Sequence, residues 1–322
     1  MIQKTTAFLF FLISFSAYSQ DHKLMSRLYI ANQNINNLIP SKITETKSVV
    51  LYLIDGENIK EELIKLHEKF LTTNIDVVNY INLNDFLMEN KIKNEFVNYF
   101  TERQIKNIII YNKTNKDEEL LLSTFNNKPT LLNTKRNTVY FKENNPFTLL
   151  QKQMLEEKFE EGNFLPNPTP EPIYKINTTL GKVTYGSTPT LEKEKLAVVV
   201  FDKIEGKINE KTEAFLFNQD VDLKNNTLKK IFDSYKHENR FVKEKDDSRF
   251  YFSRGVKYIF KMIYGRKKTL EGYLKIKIQG EVKKGYFVLL QHSFSKNIFI
   301  KENQKIYTSW EDAVNDFIIY NN

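Results

Sequence analysis

The chain has 322 residues, 41% hydrophobic, with 25 Phe, 17 Tyr and a formal net charge of +8. That length and apolar content allow one large domain or two ordinary ones, and they exclude a mainly disordered chain. There is no cysteine, which excludes disulfides, zinc–thiolate sites, thiol nucleophiles and acylation of a lipobox cysteine. No long run of basic residues accompanies the positive balance, so ordinary solubility charge accounts for it better than a dedicated polyanion surface.

The amino terminus has the layout of a secretory signal peptide. Lys4 precedes a short apolar run at 7–13, and Ala17-Tyr18-Ser19 places small residues before Gln20. Cleavage is predicted after Ser19, giving a signal peptide at 1–19. The run is about half the roughly 20 residues that a membrane span needs. The mature chain is therefore expected to have no transmembrane helix and to be exported, periplasmic or extracellular. Removal of Lys4 lowers the net charge by one. Residues 20–44 form a leader whose Leu24, Leu28, Ile30, Ile35 and Leu38 suit a packed helix and a mobile segment alike.

A first α/β module is read over 45–160. Its opening run, Ser48-Val49-Val50-Leu51-Tyr52-Leu53-Ile54-Asp55, suits a strand buried on both faces. A helix follows, with Asn58 as N-cap and Ile59, Leu63, Leu66 and Phe70 on one face. Further on, 108–111 and 120–122 read as a hairpin. The run Val139-Tyr140-Phe141-Lys142-Glu143-Asn144 precedes a helix that starts at Asn145-Pro146. Residues 161–173 then hold four of the eight prolines. Proline fixes φ and lacks the amide hydrogen, so this stretch reads as an extended linker.

A second module is read over 174–322. Leu196-Ala197-Val198-Val199-Val200-Phe201-Asp202 matches the opening strand. After an insertion at about 204–225, a helix is predicted from Thr227 with Leu228, Ile231, Phe232 and Tyr235 on its buried face. Phe252, Val256, Ile259, Phe260 and Ile263 fit a second buried helical stripe. Residues 274–278 and 286–290 read as a hairpin. Ile298-Phe299-Ile300-Lys301-Glu302-Asn303 repeats the pattern of 139–144. A capping box at Thr308-Ser309-Trp310-Glu311 opens the last helix. The expected fold class is α/β: two similar modules, each a mixed parallel and antiparallel sheet flanked by helices, with possible internal duplication. The element order is similar to a thioredoxin-like arrangement, but without Cys-x-x-Cys no redox chemistry is carried over.

The sharpest local motif is Leu53-Ile54-Asp55-Gly56-Glu57-Asn58. A carboxylate at the end of a first buried strand lies where open α/β sheets build sites. Residues 49–58 resemble the opening of NYN-type (PIN-like) nuclease domains. That resemblance implies a divalent metal held by several carboxylates, here Asp55 with Glu57, activating water against a phosphodiester. No later acidic constellation completes the set, and a turn at Asp55-Gly56 explains the motif more simply. Asp202 holds the equivalent place in the second module.

His22, His67, His237 and His292 show no metal-ligand spacing. His67 is expected at the surface. His292 beside Ser293 could pair a base with a nucleophile, but no nucleophile elbow supports it. The aromatic and basic stretch 249–268, ending in Arg266-Lys267-Lys268, is the candidate polyanion-binding patch. The leading expectation is an exported, non-enzymatic binding or interaction protein of the cell envelope. Its partner would be an envelope protein or a surface polymer, with nucleic acid disfavoured and no cofactor required. The alternative is a metal-dependent phosphodiester hydrolase at the Asp55 turn.

Overall fold

In the computed structural model the chain is described over residues 37–54, 58–114, 117–132, 137–159, 182–203, 213–244 and 249–322. The expected signal peptide, most of the expected leader, the expected proline-rich linker and residues 55–57 lie outside the described residues. The fold is α/β, with two mixed sheets flanked by helices.

The first sheet runs in the order β2 (Val77–Asn82), β1 (Ser48–Ile54), β3 (Asn107–Lys113), β4 (Glu118–Thr124), β5 (Thr138–Glu143). β1 is parallel to both neighbours, and β3–β4 and β4–β5 are antiparallel. The continuous apolar run of β1 follows from its central place. Val49 and Leu51 face one core, while Val50, Tyr52 and Ile54 face another. Helices α1 (Ile59–Leu71) and α4 (Pro146–Glu156) cover the second face through Leu66, Phe70, Phe147, Leu150 and Met154. Helices α2 (Leu83–Phe86) and α3 (Asn90–Glu102) cover the first through Leu83, Phe86, Ile92, Phe96 and Phe100.

The second sheet runs β6 (Val183–Tyr185), β11 (Ile298–Ile300), β10 (Lys284–His292), β9 (Tyr258–Arg266), β7 (Leu196–Val199), β8 (Asn239–Val242). From β8 inward, the strand order and directions repeat those of the first sheet: β7 is parallel to β8 and β9, and β9–β10 and β10–β11 are antiparallel. β5 and β11, which lie in the similar segments 139–144 and 298–303, are topological equivalents. β6 is an added edge strand, parallel to β11. Helices α5 (Glu213–Phe232) and α8 (Trp310–Asn321) cover the outer face through Leu228, Phe232, Trp310, Val314 and Phe317.

One apolar cluster joins the halves. It contains Val49, Ile108 and Leu121 of the first sheet, the α2–α3 residues, Leu270 and Leu274 of α7 (Lys267–Leu274), and Ile263, Phe287, Leu289 and Ile300 of the second sheet. The chain thus stacks as helices, sheet, helices, sheet, helices, with α2, α3 and α7 in the middle layer. The halves pack tightly at Gly265, where an added Cβ would lie 3.0 Å from Met88 Sδ. Its cross-strand partner Gly285 is more constrained, because a Cβ there would fall 2.2 Å from the Tyr307 carbonyl oxygen.

Four local expectations are corrected. The helical stripe through Ile259 and Ile263 is strand β9. A spacing of four fits a strand's period of two as well as a helix turn. The hairpin partner of β10 is β9, not 274–278; Leu274 ends α7 and Lys275 follows with φ 55°. The helix expected from Thr227 begins at Glu213, so much of the presumed insertion is helical. The last helix starts one residue later than the capping box suggests, with Ser309 as N-cap accepting the Asp312 amide hydrogen at 3.3 Å.

Candidate functional site

In an open α/β sheet the crevice beyond the strand carboxyl ends opens where successive connections leave toward opposite faces. β1 continues into α1 on the outer face, and β2 continues into α2 in the middle layer. The strand order reverses between β1 and β3, and the carboxyl ends of β1 and β2 lie beside that point. Tyr52 of β1 and Asn82 of β2 are register partners there, and their side chains are hydrogen-bonded. Asn82 also caps α2, its Oδ1 accepting the Asn84 amide hydrogen at 3.0 Å.

The second half fills this position. Arg266, at the end of β9, reaches the buried Asp85 of α2 with both arms of its guanidinium; Nε donates to Oδ1 at 3.2 Å and Nη2 donates to Oδ2. Thr269 of α7 donates to the same Oδ1 at 3.0 Å. Burial opposes the Arg266 charge, but the Asp85 carboxylate outweighs it and holds the guanidinium above its ordinary value. Burial likewise pushes the Tyr52 phenol up, against the pull of Arg266.

A second cluster extends the joint. Lys261 Nζ donates to Glu89 Oε1 at 2.8 Å and to Glu244 Oε1 at 3.0 Å, and the Tyr273 hydroxyl donates to Glu89 Oε2. Burial opposes the Glu89 charge, yet Lys261 and Tyr273 hold its carboxyl below the usual range. Burial also works against Lys261, and Glu89 with Glu244 reverses it, keeping the ammonium above its ordinary value. Removing one partner of such a pair strands the other charge in low dielectric.

The residues singled out from the sequence are dispersed. Asp55 and Glu57 lie outside the described residues, directly after β1. Asp202 is exposed beyond β7. Of the basic triplet, Arg266 is committed to Asp85, Lys267 Nζ donates to the Gly280 carbonyl at 2.7 Å, and Lys268 is exposed on α7. β9 separates this triplet from the aromatic residues 249–252 by its nine-residue length. The 249–268 stretch is therefore not one surface. His67 is buried, not exposed, with Nδ1 3.0 Å from the Tyr80 hydroxyl. Its place next to the Leu63–Phe70 stripe was the available signal. Ser293 is buried and donates to the Val256 carbonyl at 2.7 Å, so it does not form a pair with His292.

Sequence reasoning missed Asp85, Glu89, Lys261, Thr269 and Tyr273, which meet across 172 to 184 residues of chain. Among the described residues no group of three or more His, Asp or Glu is placed to hold a metal ion, and no helix is long and apolar enough to cross a membrane. No protein-family model, curated protein or solved structure matches the chain.

Proposed function

We propose that this chain is a non-enzymatic binding or interaction protein, exported to the cell envelope. The observation that supports it is the Arg266–Asp85 pair. At the carboxyl edge of β1 and β2, beside the point where α/β enzymes commonly admit substrate, the chain's own second half supplies the cation, and Thr269 and Asn82 take up neighbouring groups. This polar part of the inter-sheet joint thus serves cohesion, leaving recognition to the outer surface. The signal-peptide layout of residues 1–19 supports export.

The test is a crosslinked pull-down of the tagged mature chain from envelope and medium fractions. A stoichiometric partner that a denatured control does not capture is the expected result. Absence of any partner from both fractions would sink the reading. The hydrolase alternative has one observation in its favour: β1 is the central parallel strand and ends at Ile54, immediately before Asp55. It requires manganese binding that Asp55→Ala abolishes without lowering the melting temperature.

A further inference from the structure

The turn that joins β10 to β11 is built on a histidine. His292 ends β10, and Ile298 begins β11. His292 Nδ1 accepts the backbone N–H groups of Phe294 at 3.3 Å and of Ser295 at 3.1 Å. Two main-chain bonds close the same loop. The Lys296 amide donates to the His292 carbonyl at 2.9 Å, and the His292 amide donates to the Asn297 carbonyl at 2.8 Å. Within the loop Lys296 has φ 61°, a left-handed conformation that a lysine keeps only where its surroundings hold it. Asn and Asp commonly close turns in this way, through a side-chain oxygen two bonds beyond Cβ. In His292 the Nδ1 atom takes that oxygen's place. The two acceptors differ in one chemical respect. An amide oxygen accepts at any pH near neutral, whereas Nδ1 accepts only while it bears no proton.

We propose that His292 is an acid-operated latch: neutral, it holds the 292–297 turn closed, and a proton taken from solvent on Nδ1 opens the turn that carries Phe294. The proton converts the acceptor into a donor facing two other N–H groups, so both amides must turn to water. Phe294 is 59% exposed, and its ring centroid lies 5.2 Å from that of Phe252. A change in the turn therefore changes an exposed aromatic pair. The surroundings favour the neutral imidazole. Phe252 and the Tyr258 ring of β9 lie against it, with centroids 6.3 and 5.4 Å away. Among the described residues, the charged groups that act on it are Lys257, just before β9, and Glu194, two residues before β7. These two are paired with each other at 2.6 Å. Lys296, in the turn itself, is exposed. Burial and then Lys257 hold the imidazole below the ordinary histidine value, against the pull of Glu194. The open turn therefore binds a proton more readily than the closed one. Closure is complete above the ordinary histidine value and is lost as pH falls through the lower one. The latch is independent of the binding reading given above.

The experiment measures amide hydrogen exchange of the mature chain by NMR between about pH 8 and pH 5, each rate divided by its intrinsic value, and follows the His292 ring nitrogens over the same range. The expected result is an unprotonated Nδ1 at neutral pH. Protection of the Phe294 and Ser295 amides should then fall by up to about tenfold for each pH unit between the ordinary histidine value and the lower folded one, in step with the ring, while the β10 amides stay protected. His292→Asn, whose Oδ1 can accept the same two amides, should keep the protection across the range. His292→Ala should lack it throughout. Circular dichroism checks that both variants fold. A proton on Nδ1 at neutral pH overturns the proposal, as do turn amides that exchange freely there. So does an acid loss of protection that His292→Asn shows equally, or one that does not follow the ring titration. Loss that spreads along β10 assigns the acid response to unfolding at large and overturns the latch as well.

Discussion

The two halves share a strand order but not a way of covering their sheets. The first half supplies helices for both faces, α1 and α4 outside and α2 and α3 inside. The second supplies α5 and α8 outside, but between β8 and β9, where the first half has α2 and α3, the described residues hold only α6 (Arg249–Phe252). Its inner face is covered instead by α7, inserted between β9 and β10, and by the helices of the first half. A repeated topology therefore does not imply two independent bodies. The half with the shorter crossover leaves apolar strand residues that only the other half can bury, and the halves are held together by that deficit.

The largest effect is expected where this dependence is greatest. Phe287 is fully buried in the shared layer. Phe287→Ala should cost about 3–5 kcal/mol and lower a single thermal transition. Differential scanning calorimetry showing two separated transitions, with only the second shifted, would break the picture of one shared core.

The ionic joint comes next. Asp85→Ala leaves Arg266 without its partner, and because that guanidinium is partly exposed the expected cost is about 1–3 kcal/mol. A double-mutant cycle with Arg266→Met should recover much of the loss; strict additivity would mean the pair contributes nothing to the joint. Glu89 adds a pH dependence of definite sign. Its folded carboxyl is held below the ordinary range, so its contribution is complete above the unfolded carboxylate value and disappears as pH falls through the lower folded one. Acid unfolding curves of Glu89→Gln should show a flatter acid limb than wild type.

The smallest effect compares equivalent caps. Ser309 bonds the first turn of α8, whereas Asn145 before α4 makes no side-chain cap bond. Ser309→Ala should cost about 1 kcal/mol and Asn145→Ala much less. Equal losses in chemical denaturation would show that the cap bonds do not distinguish these ends.

Legibility followed the range of the interaction. β1, the β3–β4 hairpin, α1 and the Pro146 start of α4 were readable because burial pattern, turn and cap act within a few residues. The β9 stretch misled because Ile259 and Ile263 satisfy either period. His67 was misplaced because its neighbours were weighed by sequence adjacency and not by helix face. The joint left no trace in the pattern. Asp85 and Glu89 belong to no motif, and Lys261 and Arg266 fall in the aromatic and basic stretch 249–268, where nothing local points to a carboxylate partner.

What the sequence determined by itself was the α/β class, the repeated run of strands and helices, and the absence of any cysteine chemistry. Local periodicity and composition suffice for these, because each element must bury one face wherever it lies. Only the tertiary structure decided that the inner faces of both sheets close on one helix layer, and that Arg266 and Lys261 are paired across it. Such pairings depend on which surfaces meet, and residues more than 170 positions apart carry no local signal of meeting.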